Sequence, residues 1–411
     1  MEKQALVQSA RAGIREAKDA FLPQLNAAEE LSVGSANDLT GPFLPLPGLI
    51  HPIAGSITGT SDYQPVTGNM ASLYGQYELV NFGLRGAKIA DAKAIVGYTE
   101  ADLEKARYQV SWEVGRVYFA IRKNRDQLAV DEEDIRRYQS MYTISQALTR
   151  SGVNPGVDSS LARAGLARTR VNYNEAAGNL SRLRLQLTYL TGVDSADIGS
   201  DTTMQIGAAA DSAATVNPLE EYYAREKQRY SADQELARKS YLPKIVLGAG
   251  GWVRGSSIQY NNVYKSPVEG LAYQRLNYLA GVGITYDLFN VAHKRDRAAV
   301  LDRQVAAADF ALRQQELALR NQELQADVSI RTAKANLAEL PLQLKAARDA
   351  YGQKLAQYKA GVINLVDLAN ASFELFSAQS DYITTLNEWY IASLDKAAAT
   401  GHLDQFIQSL Q

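Results

Sequence analysis

The sequence repeats itself once, and this repeat constrains the fold more than any other feature. Three motifs of the first half recur in the second half after the same interval of 209 positions. They are Tyr-Glu-Leu-Val-Asn at 77–81, which recurs as Tyr-Asp-Leu-Phe-Asn at 286–290; Gly-Val-Asn-Pro-Gly-Val-Asp at 152–158, which recurs as Gly-Val-Ile-Asn-Leu-Val-Asp at 361–367; and Thr-Gly at 191–192 and 400–401. A gapless repeat of this length predicts a tandem duplication, in which each half forms the same unit.

Each copy is expected to contain one very long helix. The segments 81–152 and 290–361 hold few helix-breaking residues, and at 1.5 Å per residue a helix of that length extends about 105 Å. Apolar residues of the second copy alternate in steps of four and three, which is the heptad spacing of a coiled coil. They are Ala326, Ile330, Ala333, Leu337, Leu340, Leu344, Ala347 and Tyr351. Pro341 lies within this pattern, where we expect a local bend and not a helix end.

A second helix follows each long one, and two strands precede each hairpin. The segments 158–190 and 367–399 close with Thr-Gly, which is a C-terminal stop signal for a helix. Before the second hairpin, apolar residues alternate with small or polar ones, a pattern that predicts strands with one apolar face, as between lipid and a water-filled lumen. The apolar positions are Tyr278, Ala280, Val282, Ile284, Tyr286 and Leu288.

These patterns predict the order of segments along the chain. They are an N-terminal helix 1–20; strands 1 and 2 within 21–80, joined by a Pro- and Gly-rich loop 36–69; a helical hairpin 81–192 with its turn at 152–158; a polar linker 193–218; a helix 219–240; strands 3 and 4 within 241–289, joined by a loop 256–272; a second hairpin 290–401 with its turn at 361–367; and a C-terminal tail 402–411. The first residues lack the basic and apolar regions of a signal peptide, so for an exported protein we expect the sequence to begin within the mature chain.

Composition excludes several classes of function. The 43 Lys and Arg residues are scattered and are balanced by 45 Asp and Glu, so the chain offers no basic surface for nucleic acid. The lack of Cys excludes disulfides, thiolate metal sites and thiol nucleophiles. The three His residues lie far apart, and neither a zinc-binding motif nor a nucleophile elbow is present. We therefore expect no enzymatic activity, no cofactor and no resident metal. No apolar run of about 18 residues occurs, so no transmembrane helix is predicted.

The duplicated motifs resemble those of the outer-membrane efflux proteins, the TolC-like channels, over essentially the whole chain. The specific marks are the Leu-Pro pairs at 22–23 and 242–243, the Leu-Val-Asn or Leu-Phe-Asn where a strand becomes a helix, and the Gly-Val-x-x-x-Val-Asp turn of each copy. The resemblance implies a mostly α fold with a β-barrel part. It implies a homotrimer in which four strands per protomer close a twelve-stranded barrel, continued by an α-helical coiled-coil tunnel.

The resemblance also implies where these segments lie. It makes 36–69 and 256–272 extracellular loops, it places both hairpin turns in the periplasm, and it makes 1–20 the later part of a longer helix. Oligomerisation has independent physical support, because four strands cannot close a pore and open sheet edges in lipid leave costly unpaired backbone groups.

The implied function is a passive exit duct of a tripartite efflux or type I secretion system. The duct would cross the bacterial outer membrane and extend into the periplasm. A periplasmic adaptor protein and an inner-membrane transporter of the resistance-nodulation-division or ABC type would supply cargo and energy. The main alternative is a periplasmic coiled-coil adaptor, which also has long hairpins, but the alternating strands before each hairpin argue against it. A hydrolase would need a clustered acid and base that the sequence lacks.

The two hairpin turns are the candidate periplasmic aperture. Gly152 and Gly361 are expected to permit the tight turns. Asp158 and Asp367 have two interpretations, which the sequence leaves open. Each is either a first-turn carboxylate that stabilises the following helix, or a member of a threefold acidic ring that attracts cations and gates the aperture. The resemblance favours Asp367 as the gate.

The second turn departs from the family pattern. Some members carry an arginine and a further acid where this chain has Ile363 and Asn370, so the resemblance does not support a salt-bridged latch. We expect instead a hydrophobic or hydrogen-bonded closure that includes Ile363, Asn364 and Asn370. Tyr358 either takes part in this closure or packs in the helix seam.

Three further patterns carry expectations. The turns are unusually apolar, which predicts either a docking surface for the adaptor or packing between neighbouring hairpins. These apolar residues are Val153, Val157, Val362, Leu365 and Val366. The acidic run 131–134 predicts a solvated helix face. Aromatic residues near strand ends predict a girdle at the membrane interface. They are Tyr63, Tyr74, Tyr264, Tyr278 and Trp252.

Overall fold

The structure is a computed structural model that describes residues 1–37, 59–153, 155–193, 216–259 and 262–410. Its contacts divide the chain into a strand unit, Met1–Gly97 with Gln228–Ala306, and a helical unit, Tyr98–Lys227 with Ala307–Gln411. In chain order the elements are α1 Glu2–Asp19, β1 Gln24–Gly34, β2 Val66–Val80, α2 Leu84–Arg150, α3 Gly156–Thr191, α4 Pro218–Ser240, β3 Lys244–Ser256, β4 Ile258–Gln259, β5 Val263–Tyr264, a 3₁₀ turn Pro267–Leu271, β6 Arg275–Thr285, α5 Asn290–Lys359, α6 Leu365–Thr400 and α7 Leu403–Gln408.

The strand unit is built on a four-stranded antiparallel sheet. Its strand order is β1-β2-β3-β6, so each strand pairs with the next long strand along the chain. The register is continuous, except for one irregularity in the β2–β3 pair between Glu78 and Val80. Strands β1 and β6 are therefore the two edges of the sheet, and each has a neighbour on one side only.

The register sorts the side chains of the sheet into two faces. One face, here called the apolar face, holds mainly large apolar residues: Leu25, Leu31, Val33, Leu73, Tyr77, Leu79, Ile245, Leu247, Val253, Leu276, Tyr278, Val282 and Ile284. The opposite face, the polar face, holds polar residues and glycines: Asn26, Glu30, Ser72, Gln76, Glu78, Lys244, Gly248, Gly250, Arg254, Arg275, Gly281, Gly283 and Thr285. This separation follows from the period of two in a strand and confirms the predicted alternation.

The loops between strands differ from the predicted boundaries. Strand β2 begins at Val66, inside the predicted loop 36–69, of which residues 38–58 lie outside the described part. The predicted loop 256–272 contains the β4–β5 pair and the 3₁₀ turn. This turn is held against β2, because the amide of Asn69 donates to the carbonyl of Leu271 at 2.9 Å and the hydroxyl of Thr67 donates to the carbonyl of Pro267.

Long helices dominate the rest of the chain. Helices α2 and α5 have 67 and 70 residues, and α5 continues through Pro341. Helices α3 and α6 have 36 residues each, and both end at a left-handed glycine, Gly192 and Gly401, as the Thr-Gly motifs predict. Among the described residues, no helix has the length and apolarity needed to cross a membrane. The mostly helical fold with a sheet is thus confirmed.

In the helical unit, α2 and α6 form a central pair. The rings of Phe119 and Tyr390 stack between them with centroids 5.1 Å apart. Helix α3 packs on α2, where Tyr138 lies against Gly165. Helix α5 is joined to α6 by an ion pair in which Lys396 Nζ lies 2.8 Å from an Asp327 oxygen. The packing thus leaves outward faces on α3 and α5.

The predicted C-terminal tail contains a short helix. Residues 402–411 were expected to be a tail, yet α7 forms within them. Leu403 and Phe406 of α7 are buried in the same cluster as Phe119 and Tyr390. The tail therefore stabilises the central pair of helices by apolar burial.

Candidate functional site: sheet faces, hairpin turns and helix edges

The apolar face of the sheet is open to solvent in the isolated chain. Tyr278 is 87% exposed and Ile284 is 71% exposed, and most of their apolar neighbours on this face are exposed as well. A continuous apolar surface of this kind marks a membrane or protein contact, since water would otherwise order around it at a free-energy cost. The strand edges β1 and β6 border the same surface.

The polar face carries small side chains and a few charges. Tyr74 lies over the glycine backbone of β3, because a Cβ at Gly248 would meet its hydroxyl at 3.0 Å and one at Gly250 its ring at 3.2 Å. Lys244 Nζ and a Glu78 oxygen form an ion pair at 3.0 Å. Such a face suits a water-filled lumen, where polar groups remain hydrated.

The predicted aromatic girdle requires correction. Tyr74 and Trp252 lie on the polar face, opposite Gly250 and Ser72 respectively, so the prediction is wrong for these two side chains. Tyr278 lies on the apolar face, as a girdle requires. Tyr63 is in the β1–β2 loop and is exposed, and Tyr264 is in the short strand β5.

The two hairpin turns are neighbours in the helical unit. Gly152 has a φ of 73° and Gly361 a φ of 70°, and both values lie in the left-handed region that favours glycine. A Cβ at Gly361 would lie 3.4 Å from a methyl group of Val153, so the two turns touch. The duplication therefore brings its two copies of the turn to one place.

Substitution of Gly152 tests the strained turn. No atom lies within 4 Å of a Cβ built at Gly152, so Gly152→Ala adds backbone strain without a clash. We expect a loss of about 1 kcal/mol in the free energy of unfolding, measured by circular dichroism in urea. Gly178→Ala, within α3 and equally open, is the control and should gain about 0.5–1 kcal/mol, because alanine is the better helix former. Equal effects of the two substitutions would contradict the strain.

The predicted aperture residues divide into exposed and buried groups. Asp367 and Asn370 are exposed and lie one turn apart on α6. Asn364 is the N-cap of α6, since its side-chain oxygen accepts a hydrogen bond from the Asp367 amide at 2.9 Å. Asp158 is only 7% exposed, in the first turn of α3. Tyr358 is fully buried in a cluster with Met141, Leu365 and Leu368, against which Ile363 packs.

The apolar turn residues divide in the same way. Val153, Val157, Val362 and Val366 are exposed, whereas Leu365 is buried. Four exposed valines at two touching turns form one apolar tip on the helical unit. Exposed apolar residues grouped in this way often mark a contact with another surface.

Helix α6 extends the acidic character of Asp367 along its length. Glu374, Asp381 and Glu388 follow Asp367 at intervals of seven residues, and all four are exposed. Positions seven apart lie on nearly the same face of a helix, so these carboxylates form a line. This line of carboxylates was not among the predicted site residues, although the seven-residue spacing in the sequence is enough to reveal it.

A polar layer joins α2 to α6. Arg137 of α2 lies 2.9 Å from Asp134 and donates to the Gln379 side-chain oxygen at 3.2 Å. The Gln379 amide in turn donates to Glu133 at 2.7 Å. Farther along, the Gln127 amide donates to Asp131 at 2.9 Å and to the Ser380 hydroxyl at 3.1 Å.

The acidic run within this layer is not a solvated face, so that prediction is wrong in part. Asp131 and Asp134 are 3% and 6% exposed, whereas Glu132 and Glu133 remain exposed. Burial raises the pKa of Asp131, with its hydrogen bond from Gln127 acting in the opposite direction. Burial also raises the pKa of Asp134, although the nearby Arg137 lowers it. Burial of these two carboxyls therefore disfavours their charged forms.

The outward faces of α3 and α5 carry exposed apolar stripes. On α5 the stripe follows heptad spacing and consists of Phe310, Leu317, Leu324, Val328 and Leu342. On α3 it consists of Leu161, Val171, Leu185 and Tyr189. Helices normally bury such stripes against another helix, so both faces are incomplete in the single chain.

Comparison with known proteins shows which family the chain belongs to. The family model described as outer membrane efflux protein matches residues 1–193 and 223–402. The chain belongs to the outer membrane efflux protein family. This confirms the resemblance carried by the duplicated motifs. No curated protein matches the chain by sequence comparison.

Solved structures show the same fold for this outer membrane efflux protein. The outer membrane protein VceC of Vibrio cholerae has a TM-score of 0.77 at 13% identity, with 97% of this chain and 92% of that one covered. The outer membrane channel CmeC of Campylobacter jejuni has a TM-score of 0.75 at 15% identity, with 100% and 86% covered. The MtrE outer membrane channel of Neisseria gonorrhoeae has a TM-score of 0.70 at 17% identity, with 98% and 86% covered.

Proposed function

We propose that this protein is the passive outer-membrane exit duct of a tripartite efflux or type I secretion system. The observation that carries the proposal is the sheet with one exposed apolar face and one polar face. An apolar face of this kind is stable against lipid, and a polar face is stable against water, so the sheet suits the wall of a channel. The relatives of known structure are described as outer-membrane channels, which supports the same assignment.

The duct is proposed to be a homotrimer. In lipid the free edges of β1 and β6 must find partners, and the β1 edge of one copy can pair with the β6 edge of the next. Such a head-to-tail contact closes into a ring, and three copies give the twelve-stranded barrel that the family resemblance implies. The exposed stripes of α3 and α5 offer a second contact of the same head-to-tail kind in the helical tunnel.

The apolar tip is the proposed adaptor contact and aperture. Exposed valines at the two touching turns suit an apolar partner surface, which the periplasmic adaptor would supply. Asp367 is the proposed member of a threefold acidic ring, because it is exposed, whereas Asp158 is buried in the first turn of α3 and suits a helix-stabilising role there. The inner-membrane transporter supplies the energy, and cargo diffuses along the lumen.

Conductance in planar bilayers tests the duct. Purified full-length protein should insert and give discrete conductance steps. A trivalent lanthanide ion, added on the side of the hairpin turns, should block the current, because three carboxylates in a ring attract it strongly. Asp367→Asn should weaken this block by about tenfold, which corresponds to about 1.4 kcal/mol.

Asp158→Asn is the matched control for the ring, since it removes the same charge from the equivalent position of the first copy. It should leave the block nearly unchanged. A weaker block in this control and not in Asp367→Asn would reverse the assignment. Extraction of the protein without detergent, together with no conductance, would contradict the duct and favour the alternative, a periplasmic coiled-coil adaptor.

A further inference from the structure

Two arginines face each other at the loop end of the sheet. Arg254 of β3 is directly opposite Arg275 of β6 in the antiparallel register. The same row continues through Met70 of β2 to Glu30 of β1, and all four positions lie on the polar face. This row is next to the end of β3 and β6 from which the connecting loop departs.

The pairing of like charges is unfavourable by itself. Directly opposite side chains on neighbouring strands are about 5 Å apart at Cβ, so two guanidinium groups there repel each other. Both arginines are exposed. In the described part of the chain, no carboxylate oxygen lies close enough to either guanidinium group to form an ion pair. Arg275 donates instead to the carbonyl of Gln274, at 3.0 Å.

The other charged residues of the polar face are arranged differently. Near the helix end of the sheet, Lys244 is neutralised by Glu78 at 3.0 Å. The backbone amide of Gln274 donates to the Arg254 carbonyl at 2.9 Å, which extends the β3–β6 pairing beyond the arginines and fixes their strand ends. In the single chain, the described residues thus leave two cations side by side on neighbouring strands without a carboxylate partner.

We propose that Arg254 and Arg275 form an anion-binding ring at the loop end of the duct, which recognises small molecules with several phosphate or carboxylate groups. This inference rests on the proposed function, because trimer closure brings three such pairs around one lumen. The guanidinium fork matches the oxygens of a phosphate or carboxylate in a bidentate manner, and rings of arginine suit anion passage. Each copy adds two arginines and one glutamate, Glu30, to this row, so the ring keeps a net positive charge.

Side-specific block of the conductance tests the ring. Inositol hexakisphosphate, added to the loop-side compartment of a bilayer holding the full-length trimer, should block the current at low concentration. The double variant Arg254→Gln, Arg275→Gln should weaken this block by about tenfold or more. It should also shift the reversal potential in a KCl gradient towards cation selectivity.

Two matched variants separate charge from structure. Lys244→Gln removes a cation from the same face at the other end of the sheet and should leave the block unchanged. The double variant Arg254→Lys, Arg275→Lys keeps the charges but loses the guanidinium forks, so it should keep the anion preference of the reversal potential and weaken the block less than the double glutamine variant does. Unit conductance without the anion shows in each case that the trimer is intact.

The possible results distinguish the two proposals. A wild-type protein that never conducts contradicts the duct itself. A conducting wild type whose block is equal in the double glutamine variant overturns the ring and leaves the duct intact. The anion can also be added on the side of the hairpin turns. If it then blocks the current as strongly as from the loop side, and the double glutamine variant is blocked equally, the ring is overturned as well.

Discussion

Dissociation of the proposed trimer is the expected result of placing charges on the apolar stripe of α5. Leu317 and Leu324 are 69% and 58% exposed in the single chain and lie seven residues apart. Full burial of each leucine against a neighbouring copy would contribute about 1.5–3 kcal/mol, and a buried arginine would add a desolvation cost. The double variant Leu317→Arg, Leu324→Arg should therefore elute as a monomer in size-exclusion chromatography with light scattering in mild detergent.

A control on the same helix isolates the stripe. Ala318 and Gln325 are also exposed and also lie seven residues apart. Each follows a stripe leucine by one residue and therefore points to a different side of the helix. Ala318→Arg with Gln325→Arg adds the same charge without removing a large apolar side chain. This variant should keep the oligomeric state of the wild type. A trimer that survives the leucine substitutions would show that α5 faces solvent or lumen in the assembly and not a neighbouring copy.

Loss of the Arg137 side chain should have the largest effect on the stability of one chain. Arg137→Ala leaves Asp134 buried without its ion-pair partner, and Gln379 loses a donor. Removal of one partner of a buried pair costs about 3–5 kcal/mol. We expect a correspondingly lower midpoint in thermal unfolding followed by circular dichroism at 222 nm, a wavelength at which helices dominate the signal.

Two further substitutions test the same polar layer. Arg136→Ala removes an exposed arginine, whose contact with Glu132 at 4.0 Å should be worth less than about 1 kcal/mol. Adding Asp134→Asn to Arg137→Ala should restore most of the stability, because the uncompensated charge disappears. No recovery in this double variant would contradict a buried charge as the cause.

The sign of the pH dependence follows from the raised pKa of Asp134. A carboxyl whose pKa is higher in the folded state than in the unfolded state favours folding when it is protonated. Its contribution is therefore fully present below the unfolded value near 3.8 and is lost as the pH rises through the folded pKa. In Arg137→Ala this loss should be larger than in the wild type.

The repeat made the helices and strands predictable from the sequence. The contacts between them could not be predicted in the same way. Heptad and alternating patterns report which face of an element is apolar, and a single sequence carries that information. The burial of Asp131 and Asp134 depends on α6 lying beside α2, which no local pattern reports. An acidic run looks the same on a solvated helix and at a polar interface.

The orientation of two aromatic side chains in the sheet could have been predicted from the sequence. Tyr74 shares its strand parity with Gln76 and Glu78, so the period of two already assigns it to the polar face. Trp252 shares the parity of Gly248 and Gly250. The girdle prediction used the presence of aromatic residues near strand ends without this parity.

The two copies of the hairpin have diverged most in charge. Helix α6 carries five acids and one lysine, whereas its counterpart α3 carries five arginines and two acids. In the proposed three-chain tunnel, acidic α6 helices and basic α3 helices would therefore recur in turn around the circumference, with α2 and α5 between them. In that proposed assembly, a periplasmic adaptor would meet two chemically distinct helical surfaces on each copy, one acidic and one basic.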